Sequence, residues 1–402
     1  MEKGEPFVLT INAGSSSIKF SFRPLNAPHT CSLKGMVDRI GFPGTYLEFF
    51  EGEQYGRLDF PADSSRAIVE NLMDWLSQQA PFPQTVAVGH RIVHGMNYVQ
   101  HQPATHEVLE VLHSISQFDP QHLPMEIRII ETLRQRYPVV FQVACFDTAF
   151  HAQMPKVAQL LPIPRRFYGQ GVRRYGFHGL SYMYLMEELA WTAGKEVAAK
   201  KTVLAHLGNG VSLAAVRGGH SVDTSMSFTP CGGVPMSTRS GDIDPGLAWF
   251  ITQTEHLSVE QFHEIVNRQS GLLGISETSS DMRDLLNRRR TDVRAAEAIE
   301  LFCYQIKKCI GAFVAVLNGL DTLVFSGGIG ERASEIRSAI CNELTFLGIS
   351  LDPAANAQNA AVISPQGNRV TVRVIPTDEE QMIARITSRL LQKHGQREIV
   401  HG

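Results

Sequence analysis

Residues 7–22 read FVLTINAGSSSIKFSF, two apolar, strand-like runs around a tight turn of Asn12, Ala13, Gly14 and three serines. A turn between strands exposes backbone N–H groups and hydroxyls. Gly14 predicts backbone angles closed to other residues, so that unpaired amides form an anion-binding nest. Lys19 adds a cation, and the stretch reads as a phosphate-binding hairpin. It lacks the Gly-Lys-Ser/Thr ending of a Walker loop and leads into a strand instead of a helix. Read alone, it fits a serine-rich turn without a ligand equally well.

The pattern recurs at residues 202–216, TVLAHLGNGVSLAAV, with a turn of Gly208, Asn209 and Gly210. Asn-Gly turns are common in hairpins, but two matching units predict a duplicated fold in which each half offers one phosphate hairpin to a shared cleft. Farther on, over 294–317, Ile299, Phe302, Ile306, Ile310, Phe313 and Leu317 recur at three- and four-residue intervals, which predicts a helix laid against a core. DTLVFSGGIGER (321–332) follows. It predicts a buried strand over 323–325, glycines Gly327, Gly328 and Gly330 that let a nucleotide approach the backbone, and a helix starting near Ala333 whose N-terminus favours phosphate. Gly-Gly-Ile-Gly does not meet the Gly-x-Gly-x-x-Gly of dinucleotide folds, and Glu343 is a poor acidic partner for one.

Four clusters place charges in glycine-bounded or apolar surroundings: GHRIVHG (89–95), CFDTAFH (145–151), RRYGFHG (173–179) and STRSGDIDPG (237–246). A buried charge is usually paired or functional because isolation is costly. Any one of these is satisfied by a structural ion pair or a core histidine. Four of them beside two phosphate hairpins predict that some are functional.

INAGSSSIK, GHRIVHG, FDTAFH, RRYGFHG, HLGNG, TRSGDIDPG, SDMRD, SGGIGE and IPTDEE occur in this order between residues 7 and 386. In motifs and spacing the chain resembles the acetate kinase family, which includes propionate kinases and belongs to the superfamily of sugar kinases, Hsp70 and actin. The resemblance implies an α/β, duplicated ribonuclease H-like fold of two domains with the active-site cleft between them. It also implies reversible transfer of the ATP γ-phosphoryl group to a short-chain carboxylate, acetate first and propionate as the alternative, with magnesium or manganese. A homodimer is expected.

The composition agrees. The 402 residues suit two domains, and 43% hydrophobic with 19% charged residues describes an ordinary globule. A formal charge of −3 offers no broad basic surface for nucleic acid or an anionic membrane. Six scattered cysteines, Cys31, Cys145, Cys231, Cys303, Cys309 and Cys341, show no metal or CxxC spacing and read as reduced thiols. MEKGEPFV has no signal core, and the apolar run at 310–320 is too short to span a bilayer and contains Asn318. A cytoplasmic protein is expected. Expected domains are 1–147 plus 381–402 and 148–380, with a helix over 379–393 packing on the first and a break at Pro155, Pro162 and Pro164.

Phosphoryl transfer is mainly a matter of positioning and charge. Arginine forks suit carboxylates and equatorial phosphoryl oxygens, and the resemblance puts the catalytic arginines at Arg91 and Arg239. It implies His178 as a donor to the phosphoryl group and Asp147 as an orienting group. An acetate-like acid is ionised at pH 7 and needs no general base. By the same resemblance, Asn12 and Glu379 position the metal; His206, Gly208, Asn209, Gly210, Asp281, Arg283, Gly328 and Ile329 bind nucleotide; and Arg91, Val93, Phe177 and Pro230 contact the acid. Lys19 is expected to face the phosphates. Glu379 equally fits the first turn of a helix.

The chain departs from the family pattern around the acyl group. Met96 stands for the second glycine of HGG, Leu180 and Tyr182 alter GFHGTSH, Cys231 and Gly232 alter PLEG, and Gln121 precedes His122. Two rival readings remain. A sugar or polyol kinase would need an aspartate base and polar groups for hydroxyls, and an actin- or Hsp70-like ATPase would need a polymer contact or a peptide domain.

Overall fold

The computed structural model describes residues 5–14, 16–60 and 64–401. Ser15 of the first turn and residues 1–4, 61–63 and 402 of the expected first domain lie outside the described residues. The chain divides into two compact units, Met1–Ala149 with Asp378–Gly402, and Phe150–Thr377.

In the first unit, β1 (Phe7–Ala13) and β2 (Ser17–Pro24) form the expected hairpin, with Asn12 opposite Lys19. Antiparallel strands β3 (Leu33–Asp38), β4 (Tyr46–Glu51) and β5 (Gln54–Asp59) continue beyond β2. On the other side of β1 lie β6 (Thr85–Ile92), the two-residue β7 (Gln102–Pro103) and β8 (Phe141–Phe146). The order is β5-β4-β3-β2-β1-β6-β8-β7, with β1, β6 and β8 parallel. Every residue of β1 is buried, as a strand covered on both faces requires. The helix Ser65–Ser77 is capped by Ser64, whose side chain accepts from Ala67 N, and it buries Ile68, Val69, Leu72, Met73 and Leu76. The C-terminal helix Glu379–His401 packs on β1, β6 and β8. It runs past the expected end at Lys393 because no proline stops it.

The second unit holds β9 (Thr202–Leu207), β10 (Val211–Arg217), β11 (His220–Thr224), β12 (Thr322–Ser326) and β13 (Thr371–Val374) in the order β11-β10-β9-β12-β13. Here β9, β12 and β13 are parallel and β10 is antiparallel. The series β3-β2-β1-β6-β8 has the same order and directions, so the duplication is visible in the topology itself. The helix Val293–Leu317 starts at Asp292, whose carboxylate accepts from Arg294 N and Ala295 N. It buries the six apolar residues that predicted it.

One local expectation is corrected. Gly14 does not take a left-handed backbone. The first hairpin instead closes with Gly14 N donating to Ser17 O at 2.7 Å, a geometry open to ordinary residues. The expected helix starts beside Ala333, as Ser334–Cys341, and a further short helix, Gly327–Arg332, precedes it directly after β12. Gly327 takes φ +74°, where a Cβ would lie 2.7 Å from Leu207 O, so only glycine lets the chain turn directly out of β12. Among the described residues no helix is long and apolar enough to cross a membrane.

Buried histidines and one buried carboxyl give the fold a pH dependence. His90 donates from Nε2 to Gln142 Oε1 at 2.9 Å, and His151 donates from Nε2 to Phe177 O at 3.1 Å. Burial lowers both to about 4. Below the usual histidine pKa the unfolded chain takes protons that these rings refuse, so the stability they carry is complete above about pH 6.5 and shrinks as pH falls toward 4. Glu126 opposes them. Both its oxygens accept from Val93 N at 3.2 Å, and burial raises its carboxyl well above the usual range, so its cost lessens as pH falls. In a Glu126→Gln background, unfolding free energy is expected to drop between pH 7 and 5 by about 2 kcal/mol for each histidine that burial holds at about 4, namely His90, His151 and also His101. Denaturant titrations that show no drop would remove the histidines from this account.

Candidate active site

In the first unit the candidate residues gather at the carboxyl ends of the parallel strands, where ligands bind in open α/β sheets. Asn12 is near the end of β1, Arg91 near the end of β6, and Asp147 follows β8 directly. Arg91 donates from Nε and Nη2 to Asp147 Oδ2 at 2.9 and 2.6 Å and from Nη1 to Asn12 Oδ1 at 3.3 Å. Burial works against the guanidinium charge, but the carboxylates of Asp147, Glu379 and Glu126 outweigh it, and Arg91 stays cationic. Asp147 is wholly buried.

Asn12 Nδ2 donates to Glu379 Oε2 at 3.0 Å and to Glu380 Oε1 at 3.1 Å. Both glutamates open the C-terminal helix, so Glu379 is at once a helix-start carboxylate and a neighbour of Asn12. Burial raises the Glu380 carboxyl; Lys19 lowers it and Glu379 raises it further. Just before them, Asp378 accepts from Arg23 Nη2 through both oxygens, at 2.9 and 3.0 Å. Lys19 itself is exposed.

In the second unit the corresponding place is the turn between β9 and β10. The His178 ring lies against His206, tilted by 35°, with centroids 4.5 Å apart. A Cβ on Gly210 would lie 3.0 Å from His178 Nε2 and 3.6 Å from Arg239 Nη1, so the glycine lets the ring come close, and both groups converge on one spot. Arg239 Nη1 also donates to Pro230 O at 3.3 Å, and Ser237 N donates to Asn209 O at 3.2 Å, tying the 237–246 loop to the turn. His178 has φ +59° just before the helix Gly179–Ala193. Such backbone strain in a non-glycine residue concentrates at functional positions.

His178 Nδ1 pairs with Ser212 Oγ at 2.9 Å, and His206 Nδ1 with Ser181 Oγ at 2.8 Å. Ser181 Oγ also meets Thr377 Oγ1 at 2.7 Å. Register sets Ser326 beside His206, so Gly328 and Ile329 emerge at the same end of the sheet, and nothing lies within 4 Å of where a Gly328 Cβ would be. Glu331 Oε1 holds this segment by accepting from Gly327 N at 2.9 Å and Thr377 N at 3.1 Å. Asp281 and Arg283 stand apart and pair with each other at 2.6 Å; Asp281 also accepts from Arg283 N and so starts the helix Met282–Arg288. Val93 belongs to the first unit, and Phe177 and Pro230 to the second. Val93 and Phe177 are buried.

Residues 7–385 match the family described as the acetokinase family. The chain belongs to the acetokinase family. An acetate kinase of Methylocella silvestris is 41% identical, covering 96% of this chain and 98% of its own length. A propionate kinase of Citrobacter rodentium is also 41% identical, over 95% of this chain and 96% of its own. The crystal structure of a propionate kinase from Francisella tularensis superposes with a TM-score of 0.89 at 35% identity, over 96% of this chain and 99% of that one.

Against the acetokinase pattern, the departures have visible settings. Met96 takes φ +45° and donates from N to His94 Nδ1 at 3.1 Å. Tyr182 is wholly buried with its hydroxyl on Ser212 Oγ. Cys231 Sγ lies 3.4 Å from Val266 O. His122 Nδ1 pairs with Asp119 at 2.8 Å. Sequence reasoning missed Glu380, Glu126, Ser181, Ser212, Glu331 and Thr377. The IPTDEE run already held Thr377 and Glu380, SGGIGE held Glu331, HLGNGVS held Ser212 and GFHGLSY held Ser181; only Glu126 lay outside every motif.

Proposed function

We propose that this chain transfers the γ-phosphoryl group of ATP to the carboxylate of a short-chain fatty acid, reversibly, giving acyl phosphate and ADP, with acetate as the first substrate. The observation that carries this reading is the convergence of His178 Nε2 and Arg239 Nη1 on one spot above Gly210, a pair of donors suited to equatorial phosphoryl oxygens. Arg91, steadied by Asp147, serves the acid carboxylate. Asp147 orients and takes no proton, because the acid is already ionised. His206, Gly208, Asn209, Gly210, Gly328 and Ile329 receive the nucleotide together with Asp281 and Arg283, and Lys19 faces the phosphates.

Magnesium prefers oxygen donors and keeps most of its water. The oxygen-only set of Asn12, Glu379 and Glu380 fits it, and a divalent cation would offset the carboxylates crowded at residues 378–380. Asn12 and Glu379 would hold the ion. When bound, it supplies charge neutralisation at the phosphate oxygens. Glu379→Gln is expected to raise the magnesium concentration for half-maximal rate, and an unchanged titration would return Glu379 to a helix-start role alone.

The relatives carry both names at one identity, and a single methylene is worth only ~1–3 kcal/mol of discrimination. Acetate and propionate are therefore both expected to be phosphorylated, within roughly 200-fold of each other. Hydroxylamine trapping of acyl phosphate over formate, acetate, propionate and butyrate checks this. Folded, nucleotide-binding protein that gives hydroxamate with none of the four acids, or that turns over glycerol or hexose instead, would overturn the assignment. A cytoplasmic homodimer completes the reading. Trp249 and Phe250, 70% and 56% exposed on the helix Pro245–Thr254, offer an apolar contact, and a sedimentation mass of one chain would count against it.

A further inference from the structure

Tyr182, Ser212 and His178 form a short chain of polar groups inside the second unit. The Tyr182 hydroxyl meets Ser212 Oγ, and Ser212 Oγ meets His178 Nδ1 at 2.9 Å. Tyr182 and Ser212 are both wholly buried. We propose that Tyr182, acting through Ser212, holds His178 as the neutral tautomer with its proton on Nε2, the nitrogen that faces the Gly210 turn.

The direction of the two hydrogen bonds follows from the number of protons available. A phenol has one O–H, and the hydroxyl of Ser212 is its hydrogen-bond partner. Leaving a buried O–H without an acceptor is costly, so Tyr182 donates and Ser212 Oγ accepts. Burial also raises the Tyr182 phenol, which keeps its proton. The single proton of Ser212 then goes to its other partner, His178 Nδ1. An Nδ1 that accepts carries no proton, and the neutral imidazole has it on Nε2. A second proton on Nδ1 would make Ser212 face two donors while its own hydrogen lost its acceptor, so the relay also disfavours the imidazolium. The ionisable groups around the relay leave this order intact. His206 lies tilted against His178 and is tied through Nδ1 to Ser181. Arg239 Nη1 approaches from the Gly210 side. His151 is edge-on to the Tyr182 ring at 5.6 Å, with its nitrogens on Ser221 and the Phe177 carbonyl. Cys309, which acts on the Tyr182 phenol from nearby, is a thiol pushed up by burial to about 12.

Tyr182 is thus a positioning residue, and its consequence for catalysis rests on the reading of His178 as donor to the transferring phosphoryl group. The test is the imidazole 15N spectrum of the full-length protein labelled at histidine, with His178→Asn identifying the resonances. Wild type is expected to show His178 protonated at Nε2 and bare at Nδ1. Tyr182→Phe, which removes one oxygen and keeps the ring, frees Ser212 to accept, and the Nδ1-protonated form should rise to about nine-tenths. kcat should fall about tenfold, less than the loss of a whole donor, with KM for ATP and for the acid within about twofold of wild type. If Tyr182→Phe does not fold, the wild-type spectrum still decides, because the relay requires a bare Nδ1 on His178 there. An Nδ1 proton in wild type, or an unchanged tautomer in the folded variant, overturns the proposal. A tautomer shift with unchanged kcat supports the relay and counts instead against the role given to His178.

Discussion

Arg91→Ala is expected to lose at least ~100-fold of turnover, the scale set by removing one preorganised charge from a phosphoryl site, and to destabilise the protein as well. The two effects have one origin. Arg91 gives two N–H groups to a single oxygen of Asp147, which is wholly buried. Removing the cation leaves that carboxylate alone in the interior, at a cost of about 3–5 kcal/mol. Rates must therefore be compared per folded molecule, well below the melting transition. The double variant Arg91→Ala/Asp147→Asn separates the two roles, because it removes the stranded charge without restoring the fork. Recovered stability with unrecovered turnover is the expected result. Recovery of both would reduce Arg91 to the counter-ion of Asp147.

Arg239→Ala is expected to cost turnover on the same ~100-fold scale. Its loss should fall mainly on kcat, since the guanidinium reaches the spot above Gly210 that His178 Nε2 also reaches and acts there on charge that develops during transfer. Arg239→Lys should recover only part of the rate, because an ammonium keeps the charge and lacks the planar fork. Steady-state kinetics over both substrates check this. A fall of less than tenfold in the folded alanine variant, or full recovery in the lysine variant, would remove the fork from the mechanism.

Both hairpins, the 294–317 helix and the duplication were legible because each depends on local period or on repetition along the chain. Turn conformation was less so. Glycine at position 14 suggested backbone angles closed to other residues, but strand pairing runs up to the first turn as far as Ala13 and Ile18 and leaves ordinary geometry there. What position 210 needs is space for the His178 ring, a demand set by a residue 32 positions earlier in the chain. The short helix at Gly327 was not foreseen for a similar reason, since the left-handed turn there lies against Leu207 O, on another strand.

By itself the sequence determined the strand and helix periods, the paired glycine turns and the ordered motifs of the acetokinase family, because these are properties of neighbours along a chain. Only the tertiary structure decided who holds whom. Asn12 meets Glu379 and Glu380 across 367 and 368 positions, Arg91 meets Asp147 across 56, and Tyr182 meets Ser212 across 30. Such pairs are made where parallel strands end together and a distant helix packs over them. There burial forces each polar group to find a partner, and packing, not sequence proximity, supplies it.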